Sequence, residues 1–507
     1  MKRRAIRPAV YAVFFAFFAA LVFLSHLPFL SLPYYWDEAG QFVPAALDIL
    51  RSGSWIPHSV VPNIHPPLVM GYLAAVWKVG GFHPEMTRAA MLVIASFALL
   101  AAFLLAIELL RHTGGSPAFL AAGFLCASPL FFAQAVLAEL DLPAMLFTTL
   151  ALLLFIQDRL RLSAAVCVLL VMVKETSLVV PLVFLGWLAY ERRWKQAALF
   201  LAPAIVLGAW VAGLTAKTGH WAGNAGFVHE NVIYPSHPLQ LLGNLGRRLY
   251  YLFVANLHWL GSIAIVLAAR RSILFQSRSW KMAWVMVAAH VAMLTPLGGA
   301  ALERYLLPVL PILYAAMAAG MSRYRPRVQF ANAVALTVGM AVCSFVNPPY
   351  PFPYENNLAF VDFVKLHREA AGYLESWLPN AHIESTWPLT AEFANPDLGY
   401  VHKGFVTRNL NDESLRDTDW RNVDVLILYS RTWVPPYNVS PVHHVSREEL
   451  RKRVPFPVTA HFEQRGQWVD IFVNPLDRYS NNRMVFNSPS SESTRGWALA
   501  SRIQAPR

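Results

Sequence analysis

Residues 9–36, AVYAVFFAFFAALVFLSHLPFLSLPYYW, contain no Asp, Glu, Lys or Arg and are followed at once by Asp37 and Glu38. A stretch of about 20 apolar residues is long enough for a helix to cross the hydrocarbon core of a bilayer. The run is too long for the apolar core of a signal peptide, so we expect a retained membrane-spanning helix. This helix would end close to two adjacent carboxylates.

The composition of the whole chain is that of an integral membrane protein. Of its 507 residues, 56% are hydrophobic and only 14% are charged, whereas soluble domains have about 25% charged residues. This excludes a disordered chain and an ordinary cytosolic enzyme. The three cysteines lie in apolar runs, so no disulfide framework is expected.

Ten further apolar runs predict about eleven membrane-spanning helices in total. They lie near residues 87–110, 117–133, 142–157, 162–173, 178–190, 196–214, 249–269, 280–297, 305–321 and 328–346. Alternate junctions are short and basic, and Lys and Arg in short loops favour the cytoplasmic side. The N-terminus is therefore expected inside the cell, and the chain after about residue 347 outside. The formal net charge of +12 is explained by this topology, and no nucleic-acid partner is expected.

The composition changes near residue 350 and divides the chain into three predicted parts. Residues 1–349 form the transmembrane domain, and residues 350–476 form a small extracytoplasmic α/β domain. In the second part, helical spacing predicts a helix near 357–378, and the runs HIESTW, VDVLILYS and QWVDIFVNP predict strands. Residues 477–507 are polar and without periodicity, so we expect a disordered tail.

Asp37 is a candidate general base at the outer surface of the membrane. Ionisable groups at a membrane boundary are costly and often mark a functional site, although a helix cap or a solvated loop acid is an equal alternative. Apolar residues at helical spacing between Phe42 and Leu50 predict a helix lying along the surface. Such a helix would shelter Asp37 from water and raise its proton affinity, which suits a base.

Two further features of the outer loops allow either a structural or a functional role. His65 precedes two prolines that fix the backbone, but a lone histidine is more often structural. Glu139 and Asp141 are two residues apart, and this spacing would let both bind a divalent cation. Alternatively, Asp141 caps the following helix. The metal therefore stays undetermined, and no other cofactor is predicted.

Lys174 and Arg304 are rare cations on the face of the membrane where Lys and Arg are normally depleted. The structural alternatives are that Lys174 forms an ion pair with its neighbour Glu175 and that Arg304 extends its charged end to the membrane interface. Their position makes an anionic ligand more plausible. Phosphate suits both, because Arg binds it as a bidentate fork and Lys as a point charge.

These residues lie in segments that together resemble the GT-C class of integral-membrane glycosyltransferases. The nearest likenesses are the bacterial lipid A aminoarabinose transferases and the protein O-mannosyltransferases. The matching segments are WDEA at 36–39, SGSWIP leading to HPPL at 65–68, ELDLPAMLFTTLALLL, VKETSLVVP and RYLLPVLP. They occur in the expected order on one predicted face of the membrane, within roughly residues 8–350.

The resemblance implies roles for individual residues. It assigns catalysis to Asp37, with Glu38 beside it, and contact with the donor phosphate to Lys174, Arg304 and His65. The remaining residues implied to shape the pocket are Glu139, Asp141 and Tyr305. Many lipid A transferases have Lys where this chain has His65, whereas protein O-mannosyltransferases have the His-Pro-Pro form found here. Either residue could touch the donor phosphate or the acceptor, so the acceptor class stays open.

The resemblance also implies an activity. It is the inverting transfer of a sugar from a polyprenyl-phosphate donor to a lipid, glycan or protein acceptor, outside the cytoplasmic membrane. The main alternative is a polytopic transporter or flippase, and a scaffold for envelope assembly is a second one. Transporters commonly contain inverted repeats, whereas this sequence has no evident repeat and its unusual charges lie on one face.

Overall fold

The computed structural model describes residues 8–111, 117–228, 238–271, 276–297, 302–346, 355–410, 419–420, 423–431 and 445–475. The predicted tail at 477–507 and the predicted domain boundary at 349/350 lie outside these residues.

The N-terminal two thirds of the chain consists almost entirely of helices. The α-helices are α1 Pro8–His26, α2 Val43–Ser52, α3 Leu68–Gly80, α4 Pro84–Leu109, α5 Ala118–Ala127, α6 Pro129–Gln134, α7 Asp141–Ile156, α8 Leu160–Val173, α9 Val179–Tyr190, α10 Trp194–Ala197, α11 Ala202–Thr218, α12 Ala225–Val228, α13 Pro238–Phe253, α14 His258–Arg271, α15 Arg278–Leu294, α16 Leu310–Met321 and α17 Pro326–Cys343. Shorter 3-10 helices are Leu27–Phe29, Glu175–Leu178, Ala198–Leu201, Trp221–Gly223 and Glu303–Val309, and Glu38–Phe42 is π-helical. Helix α4 packs against α1, α5 and α7, and α7 packs against α8.

Four helices of the described chain are long and apolar enough to span a membrane. They are Ala9–Phe29, Pro84–Leu109, Trp194–Thr218 and Glu303–Met321. A fifth span results if Pro238–Phe253 and His258–Arg270, which meet at an angle of 84°, count as one. Five shorter apolar helices of 10–17 residues accompany them: Leu68–Gly80, Ala118–Ala127, Asp141–Ile156, Leu160–Val173 and Glu175–Tyr190.

This count differs from the eleven spans expected because several apolar runs are broken or short. The run at 117–133 is interrupted at Ser128, whose backbone is extended. Pro129 follows it, and proline disfavours the helical conformation of the residue before it. The run at 249–269 contains the bend, where Asn256 and Leu257 have φ of 52° and 62°. The helix predicted after Phe42 is confirmed as α2, whereas α3 was not predicted.

The C-terminal part contains a five-stranded mixed sheet and a long helix. Its elements are α18 Ala359–Trp377, β1 His382–Ser385, α19 Leu389–Ala394, the 3-10 helix Pro396–Leu398, β2 Val406–Asn409, β3 Val425–Tyr429, α20 Arg447–Arg453, β4 Val458–Gln464 and β5 Gln467–Val473. The strand order is β2-β1-β3-β5-β4, with the β1 pairings parallel and the β5 pairings antiparallel. The predicted helix and the three predicted strands are confirmed, whereas β2 and β4 were missed.

The helical part and the sheet part share one apolar core. A single cluster of buried apolar residues extends from the transmembrane helices into α18 and β3. The ring of Tyr35 lies 5.5 Å from that of Phe360 and 5.4 Å from that of Phe363. The Tyr400 hydroxyl donates to the Tyr34 carbonyl at 3.0 Å, and the Tyr34 amide donates to the Leu398 carbonyl at 3.1 Å. The loop before Asp37 is thus held by contacts with α18 and with the segment around residues 398–400.

Candidate active site

Asp37 lies where an irregular backbone turns into the surface helix. Trp36 has a φ of 42°, in the left-handed region that bulky residues rarely adopt. Glu38–Phe42 then forms a π-helical turn that continues into α2, and such turns are frequent at functional sites. The Asp37 side chain is 35% exposed. Its Oδ2 pairs with Nη2 of Arg304, while Oδ1 accepts no hydrogen bond from the described residues.

Glu38, the next residue, points away from solvent and is fully buried. It forms an ion pair with Arg88 of α4, whose side chain is also fully buried, and Arg88 Nη2 lies 3.0 Å from Glu38 Oε2. The Tyr35 amide donates to the same oxygen at 3.0 Å, and the Ala138 amide donates to Oε1 at 2.5 Å. Arg88 further donates to the Val136 carbonyl at 2.7 Å. The pair therefore joins the first loop to α4 and to the turn before α7.

Arg304 is surrounded by four carboxylates from three separate segments. Besides Asp37, its Nη1 lies 2.5 Å from Glu139 Oε2 and 3.6 Å from Glu355 Oε1, and its Nε lies 3.5 Å from Asp141 Oδ2. The Arg304 side chain is only 5% exposed, and Asp37 is the one partner with substantial exposure. Residues 267 positions apart in sequence are thus brought together.

Lys174 joins this cluster through Asp141. Its Nζ lies 2.5 Å from Asp141 Oδ1 and 4.0 Å from the centre of the Tyr305 ring. A lysine over an aromatic face gains a cation–π attraction. Lys174 and Arg304 therefore both contact Asp141, and Tyr305 lies beneath both cations.

Burial changes the protonation of two carboxyl groups in the cluster. It raises the pKa of Glu139 well above its ordinary value, against the opposing attraction of Arg304. In the same way, burial raises the pKa of Glu355 to about 7, again opposed by Arg304. Desolvation penalises the charged form of a carboxyl group. Two of the four carboxyl groups around Arg304 are therefore biased toward the neutral form.

His65 lies beside the cluster and is held by Glu175. Its Nδ1 is 2.8 Å from Glu175 Oε2, and its ring centre is 6.0 Å from that of Phe42. Glu175 is thus engaged by His65, while the neighbouring Lys174 turns to Asp141. The pairing of Lys174 with Glu175 that the sequence left open is not the one that forms.

The structure brings most of the predicted site residues together and adds others. The residues that meet are Asp37, Glu139, Asp141, Lys174, Arg304 and Tyr305, with His65 at the side and Glu38 buried behind. Arg88 and Glu355 were not predicted. Arg88 could have been found, since a lone arginine near the start of an apolar helix is costly unless it has a partner. Glu355 lies near the start of the predicted C-terminal domain and carries no comparable signal.

A third buried arginine lies close by. Arg248 donates from Nη2 to the Leu294 carbonyl at 2.8 Å, and its Nε and Nη1 have no hydrogen-bond partner among the described residues. Arg247, next to it, pairs instead with Glu303 at 2.6 Å.

The described residues include no group of three or more His, Cys, Asp and Glu side chains placed to hold a metal ion. Glu139 and Asp141, which the sequence singled out as a possible cation site, face Arg304 and Lys174. Both carboxylates are therefore already matched by positive side chains.

Comparison with known proteins relates the chain to solved membrane structures. No family model and no curated protein matches the sequence. The crystal structure of ArnT from Cupriavidus metallidurans in the apo state aligns over 91% of this chain and 98% of its own, at 14% identity and a TM-score of 0.56. The same protein bound to undecaprenyl phosphate aligns over 92% and 98%, at 13% identity and a TM-score of 0.55. The Archaeoglobus fulgidus oligosaccharyltransferase in the apo form aligns over 84% and 70%, at 10% identity and a TM-score of 0.48. The chain therefore shares the largely helical fold of the two ArnT structures.

Proposed function

We propose that this protein is an inverting glycosyltransferase that moves a sugar from a polyprenyl phosphate to a hydroxyl group outside the cytoplasmic membrane. One observation carries the proposal: Asp37, Lys174 and Arg304, from three distant segments, meet at one partly exposed site. The ArnT structure that covers 92% of the chain contains undecaprenyl phosphate. A donor of this kind is anchored in the membrane, and its phosphate must be met at the membrane surface.

Asp37 acts as the general base in this proposal. Among the carboxylates around Arg304 it has the greatest exposure, so an acceptor hydroxyl can approach it. Arg304 holds Oδ2 and leaves Oδ1 to accept the proton. The acceptor oxygen then attacks the anomeric carbon, and the bond from that carbon to the phosphate oxygen breaks. A base placed in this way contributes about 10²–10⁴-fold to the rate.

Lys174 and Arg304 stabilise the negative charge on the departing phosphate. Both cations are already matched by carboxylates, so an anion enters only if some of that negative charge is reduced. Burial favours the neutral form of Glu139 and raises the pKa of Glu355 to about 7, so both groups can give up negative charge near neutral pH. With both of them neutral, Asp37 and Asp141 balance the two cations, and the site has no excess negative charge to repel a phosphate.

Glu38 holds Asp37 in place in this proposal and does not itself touch the substrate. Its side chain is fully buried, and both of its oxygens accept hydrogen bonds. His65 and Glu175 fix the end of the first loop next to Lys174. The sugar and the acceptor are the open parts of the proposal. None of the solved structures named above is a transporter, and no observation favours that alternative.

The test compares cells that lack the gene with cells that carry it. Mass spectrometry of envelope lipids and glycans identifies the product that disappears with the gene. Asp37→Asn is expected to leave that product absent at normal protein levels. The matched control is Asp158→Asn, since Asp158 is 61% exposed and pairs with Arg193 outside the site. Product formation by Asp37→Asn at the wild-type level would exclude Asp37 as the base.

A further inference from the structure

A cavity lies at the ends of α9 and α15 that are remote from the Asp37 site. It has a volume of about 640 Å³ and is lined by Trp187, Tyr190, Arg278, Lys281, Trp284 and Val285. Helix α9 follows the segment of Lys174 and ends at this cavity with Tyr190. Helix α15 begins at the cavity, and His290 near its other end bonds the Tyr305 carbonyl at 2.8 Å. At a rise of about 1.5 Å per residue, roughly 15 Å or more of helix separates the two sites.

Arg278, which lines the cavity, forms an ion pair with Glu191. Arg278 donates from Nε and Nη2 to the two oxygens of Glu191 at 2.7 and 2.8 Å, and the Trp187 indole donates to Oε1 at 2.8 Å. The hydrogen bonds from Arg278 lower the pKa of Glu191, so this carboxylate stays charged. The contact ties the end of α9 to the start of α15. Because Glu191 neutralises the charge of Arg278, that charge is not available to a ligand.

Lys281 is the positive group that remains for a ligand. It lies one helical turn after Arg278 and is exposed, and its side chain makes no ion pair or hydrogen bond with the described residues. Arg192 and Lys195, which follow α9, are likewise exposed and unpaired within the described chain. This end of the helices therefore carries an excess of positive charge.

The walls of the cavity are aromatic and apolar. Trp187 and Tyr190 are three residues apart on α9, so they share one face, as do Lys281 and Trp284 on α15. Tyr190 is 85% exposed and Val285 is 41% exposed. Tryptophan and tyrosine are enriched where a membrane protein meets the lipid headgroups. Open apolar walls beside an unpaired ammonium match a ligand that is anionic at one end and apolar at the other.

We infer that this cavity binds the headgroup of an anionic phospholipid from the membrane leaflet opposite the Asp37 site. Lys281 would contact the phosphate as a point charge, while Trp284 and Val285 would pack against the first methylene groups. The volume lies within the range of about 300–1,000 Å³ that is usual for small-molecule sites. A lipid seated between α9 and α15 would reinforce the contact that Glu191 and Arg278 make. The inference does not depend on the proposed sugar transfer.

The test measures lipid retention by the purified full-length protein. The protein is placed in nanodiscs of phosphatidylcholine containing one third phosphatidylglycerol, released, and analysed by native mass spectrometry. The wild type is expected to retain phosphatidylglycerol in preference to phosphatidylcholine. Lys281→Gln should reduce this retention about tenfold, since a charge-assisted contact is lost. Lys195→Gln is the matched control, because Lys195 lies at the same end but does not line the cavity.

A second variant guards against a folding defect. Val285→Trp fills the cavity and leaves every charge in place, so it should also abolish selective retention. Thermal unfolding in phosphatidylcholine alone confirms that each variant is folded. Inorganic phosphate without lipid is expected to give no stabilisation. Unchanged phosphatidylglycerol retention in both variants, equal retention of phosphatidylcholine, or equal stabilisation by inorganic phosphate would overturn the inference.

Discussion

Replacing Arg88 by Met tests whether the buried pair with Glu38 holds the Asp37 loop in place. Both side chains are fully buried, so water cannot screen the charge that is left behind. Two unit charges 3–4 Å apart attract by about 4–6 kcal/mol at an effective dielectric constant of about 20. Breaking one partner of a buried pair usually costs about 3–5 kcal/mol. We expect Arg88→Met to lower the free energy of unfolding by that amount.

The double variant separates the charge from the packing. Glu38→Gln combined with Arg88→Met leaves no uncompensated charge, so it should recover at least about 2 kcal/mol relative to the simple sum of the two single changes. Unfolding of the purified protein in detergent, followed by heat or denaturant, measures all three variants. Arg111→Met is the control, because Arg111 pairs with Glu108 at the surface and is 47% exposed. Such exposed pairs contribute about 0–1 kcal/mol.

The same variants distinguish a positioning role of Glu38 from a catalytic one. Glu38 does not touch the substrate in this proposal, and Glu38→Gln keeps the length and shape of the side chain, although its amide nitrogen cannot accept the hydrogen bonds that one carboxylate oxygen receives. It should therefore reduce sugar transfer far less than Asp37→Asn does. Full loss of transfer by a stably folded Glu38→Gln, or additive effects in the double variant, would refute the reasoning.

Three further predictions concern the site and its support. Burial raises the pKa of Glu355 from 4.5 to about 7. Between these pH values the folded protein keeps the carboxyl proton, whereas the unfolded chain releases it. The free energy of unfolding should therefore fall as pH rises from about 4.5 to 7. Glu355→Gln should flatten that slope in unfolding measurements from pH 4 to 8, and an unchanged slope would contradict the assignment. Lys174→Gln should weaken binding of the polyprenyl donor more than binding of the acceptor. The control is Lys217→Gln, at an exposed position. Equal weakening of donor and acceptor binding would count against a phosphate contact by Lys174. Gly40→Ala would place a methyl group 2.7 Å from the Trp387 ring, and Trp387 is held by hydrogen bonds from Tyr429 and Arg431 to its backbone carbonyl. We expect the free energy of unfolding to fall by about 1–3 kcal/mol and sugar transfer to be reduced. The control Gly372→Ala, whose methyl group meets nothing within 4 Å, should be neutral or slightly stabilising.

The sequence predicted which charged residues lie at the ends of apolar helices, but it did not predict which of them form ion pairs. Apolar periodicity marks the ends of helices, so Asp37, Lys174 and Arg304 were recognisable as unusual. Pairing depends on which distant segments meet, and no local pattern carries that information. Asp37 and Arg304 are 267 positions apart, and Glu38 and Arg88 are 50 apart. This explains why the sequence predicted a phosphate contact for Arg304 but not the four carboxyl groups that surround it.

The missed strands have a similar physical cause. Strand β3 is buried along its whole length, so its apolar run is unmistakable. Strand β2 lies at the edge of the sheet and is mostly exposed, so its sequence VTRN lacks a clear pattern. Strand β4, at the other edge, is only partly buried. Strands that bury little apolar surface leave a weak signal in the sequence.

The candidate site extends across the change in composition near residue 350. Glu355, after the change, supplies a carboxylate to Arg304, and Trp387 covers the backbone of Gly40 next to the Asp37 turn. Tyr400 bonds the backbone of Tyr34. Because these contacts fix the loop that carries Asp37, a chain cut at residue 350 would lose part of the site as well as a domain. The C-terminal sheet is therefore better understood as the outer wall of the site than as an independent appendage.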